Sequence, residues 1–128
     1  MVIRVVRLGS ERGKNEGIRI GTARRPPRGV PKSEFATQNW YDVWFPLLAP
    51  SVETVKLGQQ ASTAAQWAVF KRTYRAEMAA PNASHGIELF ATLSHHVNFS
   101  VGCYCADEAH CHRSVLRSLL VDKGAAVE

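Results

Sequence analysis

The segment Cys103–Arg113, with the sequence CYCADEAHCHR, concentrates the reactive side chains of this chain. It lies where a β-rich stretch gives way to a helical pattern, and ligands in open α/β sheets bind beyond the carboxyl ends of the strands. A helix N-terminus, an imidazole and a guanidinium all favour a thiolate, so Cys111 beside His112 is a candidate nucleophile. The candidate acid–base groups are Asp107, Glu108 and His112.

The same segment allows two other interpretations. Cys103 and Cys105 would share one strand face at a period of two, and could be ordinary buried side chains. Thiols and imidazoles also suit zinc, with Cys105, His110, Cys111 and His112 as the candidate ligands. The spacing lacks the paired C-x-x-C pattern of structural zinc sites, so the sequence assigns no metal and no cofactor.

A second group of residues suited to chemistry is rich in arginine. The chain has 16 Lys and Arg against 11 Asp and Glu, and most of the excess precedes residue 33. Arg24 and Arg28 lie in a proline-rich loop. Together with Arg113 and the adjoining helix N-terminus, they could hold a phosphate or carboxylate by charge-assisted hydrogen bonds.

Three classes of partner follow from these residues. The favoured one is a small phosphorylated or otherwise anionic ligand, with catalysis left open. A nucleic acid is the competing partner, because the net charge of +5 attracts phosphates, although no recognised nucleic-acid motif is present. A protein interface could instead use the three tryptophans, Trp40, Trp44 and Trp67. The oligomeric state stays open.

The apolar pattern predicts the elements that must position these side chains. Strands are expected at residues 2–8, 18–22 and 97–105, and helices at 62–80, 86–95 and 114–123. The spacing of Trp40, Val43, Trp44 and Leu47 predicts a further short helix from Thr37. Strands that bracket helices indicate an α/β fold with a small, mostly parallel sheet of about four to five strands.

The size of the chain predicts one domain over residues 1–128. No apolar run approaches the roughly 18 residues that a membrane span needs, so we expect no membrane partner and a cytoplasmic location. Three cysteines within nine positions are an odd and clustered set. Reduced thiols are therefore expected rather than a disulfide framework.

Four segments of the chain resemble the YeaO-like family, the domain of unknown function with the number 488. They are EGIRIGTARRPPRGVPKSEF, LAPSVETVKLGQQ, FKRTYRAEM and CYCADEAHCHRSVL. The resemblance implies three-layer, Rossmann-like architecture and a pocket shared by the early arginine loop and the Cys-His-Arg turn. It also adds Arg19 to the candidate ligand-binding residues. The chain departs from the family pattern at Ala23, where relatives often carry an acid, and at Arg25 and Pro26.

Overall fold

Four strands form a sheet in which every neighbouring pair is parallel. The computed structural model describes all residues from Met1 to Glu128. The strands are β1 (Ile3–Arg7), β2 (Ile18–Gly21), β3 (Val43–Trp44) and β4 (Phe99–Cys103). Their order across the sheet is β1-β4-β2-β3. The predicted α/β class with a small, mostly parallel sheet is confirmed.

Four helices complete the fold, and they are α1 (Val52–Gln60), α2 (Ala64–Met78), α3 (Pro81–Leu93) and α4 (His112–Asp122). Side chains of α2, α3 and α4 pack on one face of the sheet. Irregular segments cover the opposite face, where Leu8 lies against Gly102 and Tyr41 against Gly21. The three layers are therefore helices, sheet and loops. None of the helices combines the length and the apolar character that a bilayer crossing requires.

Two apolar clusters of different size hold these layers together. The larger has 13 buried side chains, and β4 contributes Phe99 and Val101 to it from one strand face. The smaller has five, namely Leu8, Ala23, Tyr41, Cys103 and Cys111. Because β4 is central and all of its residues are buried, its carboxyl end is fixed in position. Two of the three cysteines, Cys103 and Cys111, belong to the smaller cluster, and Cys103 is the last residue of β4.

Arg19 lies on the sheet face opposite the main core and is fully buried. Its Nε and Nη2 donate to the carboxylate of Glu16 at 2.8 and 3.0 Å, and its Nη1 donates to the Ser10 and Asn39 carbonyl oxygens. Ser100 Oγ donates to the same carboxylate at 2.7 Å. Burial by itself would raise the pKa of Glu16, but hydrogen bonds from Arg19, Ser100 and the Gly13 amide outweigh it and hold the pKa at about 2. Arg19 is therefore a structural ion-pair partner in this fold.

The helix predicted from Thr37 is wrong. Val43 and Trp44 form β3, which pairs with β2, Leu47 lies in a 3₁₀ turn at Pro46–Leu48, and Trp40 lies outside both elements. Pro46 disfavours a helical conformation at the residue before it. The indole Nε1 of Trp44 donates to the Ala23 carbonyl oxygen at 2.8 Å, which links β3 to the segment that follows β2. The apolar residues at helical spacing therefore contact different parts of the fold and do not form one helix face.

Two helices differ from the prediction, one because it was not predicted and the other because it begins earlier. Helix α1 was not predicted; Ser51 caps it and also donates to Glu77 at 2.6 Å. Helix α3 begins at Pro81, five residues before the predicted start at Gly86. Proline suits the first helical position because its missing N–H would be unpaired there in any case.

Candidate functional site

A cleft of about 800 Å³ lies beyond the carboxyl ends of β2 and β4. Three parts of the chain form most of its lining: the arginine loop, which we define as residues 23–28; the facing sides of α1 and α2; and the segment from Cys103 to His112. Trp40 and Pro50 also line it. This is the edge at which ligands of open parallel sheets bind. The arginine loop and the Cys-His segment, 79 positions apart at Arg24 and Cys103, thus meet in one cavity.

A cluster of sulfur and imidazole groups borders this cleft. Cys103 ends β4, Cys111 is the N-cap residue of α4, and His112 is the first residue of that helix. Their Sγ and ring nitrogen atoms all lie within 4.8 Å of one another. We call these three residues the Cys-His cluster. It arises because the central strand and helix α4 are joined by a connection of only eight residues, 104–111.

The orientation of His112 is fixed by its neighbours. Its Nε2 lies 2.9 Å from the carbonyl oxygen of Thr22, which can only accept, so Nε2 carries the proton. Its Nδ1 therefore has a lone pair and lies 3.8 Å from the Cys111 sulfur. The ring of Tyr74 packs edge-on against the imidazole, with ring centroids 5.4 Å apart. The last helix was predicted to begin at residue 114, whereas α4 begins at His112, and His112 is buried.

The three cysteines are free thiols in different environments. Cys103 is 8% exposed and Cys111 is 2% exposed, whereas Cys105 is exposed. The predicted common strand face of Cys103 and Cys105 is wrong, because β4 ends at Cys103. The neighbouring Cys103 and Cys105 thiols and the adjacent His112 lower the pKa of Cys111, although burial opposes them.

The two candidate acid–base carboxylates lie outside the cleft lining. Asp107 caps a 3₁₀ turn by accepting from the Ala109 amide at 3.0 Å, and it also pairs with His110 Nδ1 at 2.8 Å. The hydrogen bond with His110 lowers the pKa of Asp107. Glu108 pairs with Arg117 at 2.7 Å. Both carboxylates therefore brace the turn that precedes α4, while His110 lines the cleft and packs against Trp67.

The structure brings only two of the four candidate arginines to the cleft. Arg24 lines it, but its guanidinium donates to the backbone carbonyl oxygens of Pro46, Ala49 and Pro50. Arg28 also lines it, is exposed, and has no hydrogen bond or ion pair within the chain. Arg19 and Arg113 are buried outside it.

Arg113 is held directly behind the Cys-His cluster. Its side chain is 3% exposed, its Nη2 donates to the Cys105 carbonyl oxygen at 2.6 Å, and its Nε has no partner. The contact with Cys103 and the positive charge of Arg113 lower the pKa of Cys105, but the contact with Cys111 and burial outweigh them and raise it. Arg113 therefore fixes the connection between β4 and α4 and places a positive charge near the thiols.

Several cleft residues were not singled out from the sequence. Lys56 comes from α1, and Tyr104 follows β4 directly; Trp67 of α2 was considered only for a protein interface. Arg25, exposed and without an ion pair, was named only as a departure from the family pattern. A helical pattern at residues 52–60 with Ser51 as its cap would have been the signal for Lys56, but the sequence does not show which neighbour α1 faces.

The arrangement supports two kinds of chemistry at one cavity. Its rim carries exposed, unpaired basic side chains, which attract an anionic group. Its Cys-His cluster presents two sulfur atoms and an imidazole lone pair, which can stabilise a reactive thiolate or bind a soft metal ion. The apolar and aromatic wall, formed by Trp40, Val55, Trp67 and Phe70, suits a flat or apolar group.

Comparison with known proteins gives one positive result. The family model DUF488-N3a, described as the Active DUF488-N3 subclade, matches residues 3–124. No curated protein and no solved structure matches the chain. The matched range includes both the arginine loop and the Cys-His cluster, as the resemblance to the domain of unknown function 488 predicted. The chain therefore belongs to the DUF488 family, in its DUF488-N3a branch.

Proposed function

We propose that the protein binds, in this cleft, a small ligand that combines a phosphate or carboxylate with a flat, apolar part. The observation that supports the proposal is the composition of the cavity. Arg25, Arg28 and Lys56 have no internal ion pair, and they share one cleft with Trp40 and Trp67. A volume of about 800 Å³ falls within the usual range for small-molecule sites.

The role of the arginine loop differs from the role expected of it. Arg28 and Arg25 are the guanidinium groups that can turn toward an anion, since they have no partners in the chain. Arg24 contributes indirectly, because its hydrogen bonds to the segment 46–50 hold the loop beside α1. Arg113 and Arg19 are engaged in the interior and would support the site rather than contact the ligand.

A matched pair of probes tests the proposal. Adenosine 5′-monophosphate carries a phosphate on a flat ring system, and adenosine lacks only the phosphate. We expect calorimetric titration to show tighter binding of the monophosphate, and Arg28→Ala to weaken it about tenfold, since a hydrogen bond to a charged group contributes about 1.5 kcal/mol or more. Arg72→Ala is the control, because Arg72 is an exposed arginine outside the cleft lining.

Two outcomes would contradict the proposal. Equal affinity for both probes would show that the basic rim does not select an anion. Tighter binding of a single-stranded oligonucleotide, with an affinity that falls steeply as salt is added, would instead identify a nucleic acid as the partner, because that dependence reports the number of phosphates contacted.

A further inference from the structure

We propose that Cys103, Cys111 and His112 form a zinc site at the base of the cleft, with a fourth coordination position open to the cavity. This inference goes beyond ligand binding, and it is tested on the protein without any ligand. The Cys-His cluster is its starting point, because three candidate ligand atoms from two elements converge there.

The distances fit tetrahedral zinc. With Zn–S bonds of about 2.3 Å and a Zn–N bond of about 2.0 Å, a tetrahedron places two sulfurs about 3.8 Å apart and a sulfur about 3.5 Å from the nitrogen. The Cys111 sulfur lies 3.8 Å from His112 Nδ1, and all three atoms lie within 4.8 Å of one another. Small side-chain rotations would bring the three groups to coordination distance.

The imidazole has the orientation that a metal ligand needs. Zinc-binding histidines usually donate their second ring N–H to a carbonyl or carboxylate, which fixes the tautomer and the ring. Here the Nε2 of His112 donates to the Thr22 carbonyl oxygen at 2.9 Å, and Nδ1 is left with its lone pair beside the Cys111 sulfur. Thr22 directly follows β2 and leads into the arginine loop, so this connection contributes to the site through its backbone.

The donor set selects the metal. Thiolate and imidazole ligands suit zinc, whereas magnesium and calcium require oxygen ligands, which the three residues lack. Two thiolates would also balance the charge of a divalent ion, which matters because the three residues are only 8%, 2% and 4% exposed. Burying two thiolates without a counter-ion would cost much free energy, and a bound zinc ion would balance their charge.

The fourth position is assigned to the cavity rather than to the protein. Cys103, Cys111 and His112 all line the cleft, while the exposed Cys105 is not among the three mutually close ligand residues. Zinc sites with three protein ligands keep one position for water or a ligand oxygen, in contrast to closed structural sites. An anionic group held by the basic rim would then lie near this position.

Metal content provides the first test. The protein should be purified with a tag that contains no histidine and without chelators, and then measured for metal and for free thiols. We expect about one zinc ion per chain. A protein that contains no zinc and whose three thiols all titrate freely would overturn the proposal, as would a disulfide between Cys103 and Cys111.

Cobalt substitution provides the second test, because tetrahedral Co²⁺ with thiolate ligands has an intense near-ultraviolet charge-transfer band and strong visible bands. Metal-free wild-type protein should develop these bands on addition of Co²⁺. Cys103→Ser and Cys111→Ser should each lose most of the charge-transfer intensity, and His112→Gln should weaken cobalt binding at least tenfold. An unchanged spectrum in Cys111→Ser would contradict the site.

Two further variants define the boundaries of the site. His85→Gln removes an exposed histidine on α3 and should leave the cobalt spectrum unchanged. Cys105→Ser should also retain the metal, whereas loss of the metal in that variant would overturn the open fourth position. Far-ultraviolet circular dichroism of every variant separates loss of the ligand from loss of the fold, and the wild-type measurements decide the proposal even if His112→Gln does not fold.

Discussion

Two basic regions of this molecule use arginine in opposite ways. In the first, Arg19 is fully buried and every part of its guanidinium is engaged by Glu16 or by backbone oxygens. In the second, the arginine loop, Arg25 and Arg28 are exposed beside a cleft and have no partner in the chain. The comparison shows that partners, rather than charge, separate a guanidinium that stabilises the fold from one that is available to a ligand.

The largest expected effect comes from breaking the buried ion pair. Glu16→Gln would leave the Arg19 charge in the interior without its counter-ion, and removing one partner of a buried pair costs about 3–5 kcal/mol. We expect the free energy of unfolding, measured by urea denaturation, to fall by that amount. Glu11→Gln is the control, since Glu11 is exposed and unpaired, and it should change stability by less than about 0.5 kcal/mol.

The same ion pair predicts how stability depends on pH. The pKa of Glu16 is lowered from its ordinary value of 4.5 to about 2, so its contribution is fully present above pH 4.5 and is lost as the pH falls through 4.5 toward 2. The contribution amounts to about 3 kcal/mol by linkage. Urea denaturation between pH 2 and pH 6 should show this decline in the wild type. A decline of the same size in Glu16→Gln would assign it to other carboxylates.

A smaller effect is expected within the arginine loop itself. Arg24→Met would leave the carbonyl oxygens of Ala49 and Pro50 without a donor, whereas that of Pro46 keeps the Ala49 amide, and buried acceptors without partners cost about 1–3 kcal/mol. The adjacent Arg25→Met is a matched control, because its side chain makes no such bonds. Equal stability of the two variants would show that the contacts of Arg24 contribute little.

The smallest effect on stability is expected at Arg28. Because Arg28 is exposed and unpaired, Arg28→Ala should change the free energy of unfolding by less than about 0.5 kcal/mol. The same variant should bind adenosine 5′-monophosphate more weakly than the wild type. Thermal unfolding with and without the probe measures both quantities on one sample. A loss above about 1 kcal/mol without the probe would place Arg28 with Arg19 among the structural arginines.

The sequence predicted the sheet better than the short elements at its border. Strands β1 and β4 are rich in apolar residues, and the predicted spans at 2–8 and 97–105 contain them. Strand β3 has two residues, Val43 and Trp44, and exists only because β2 lies beside it. Two residues are too few to show the alternation of apolar and polar side chains that indicates a strand. The helical spacing of the surrounding residues was therefore misleading.

The candidate site was predictable in its chemistry but not in its contacts. Cys111 and His112 could be placed at the junction of a strand and a helix because the local pattern changes there. The Thr22 carbonyl that fixes His112 lies 90 positions away and is a backbone group, so no residue type signals it. Glu16 lies only three residues before Arg19, but Ser100, which donates to the same carboxylate, lies 84 positions away, so the local sequence does not show that this ion pair is buried.

The C-terminal residues have a consequence for the outer border of the sheet. The Ile3 amide donates to the Ala126 carbonyl oxygen, and the Glu128 amide donates to the Ile3 carbonyl oxygen. The first residue of β1 therefore pairs in parallel with a short C-terminal segment. Arg4 and Arg7 add positive charge along the rest of the strand. An unpaired strand at the edge of a sheet can pair with a strand of another chain. Here the C-terminal residues pair with the start of β1 at one edge, and β3 at the other edge has only two residues. Self-association through strand pairing is therefore disfavoured.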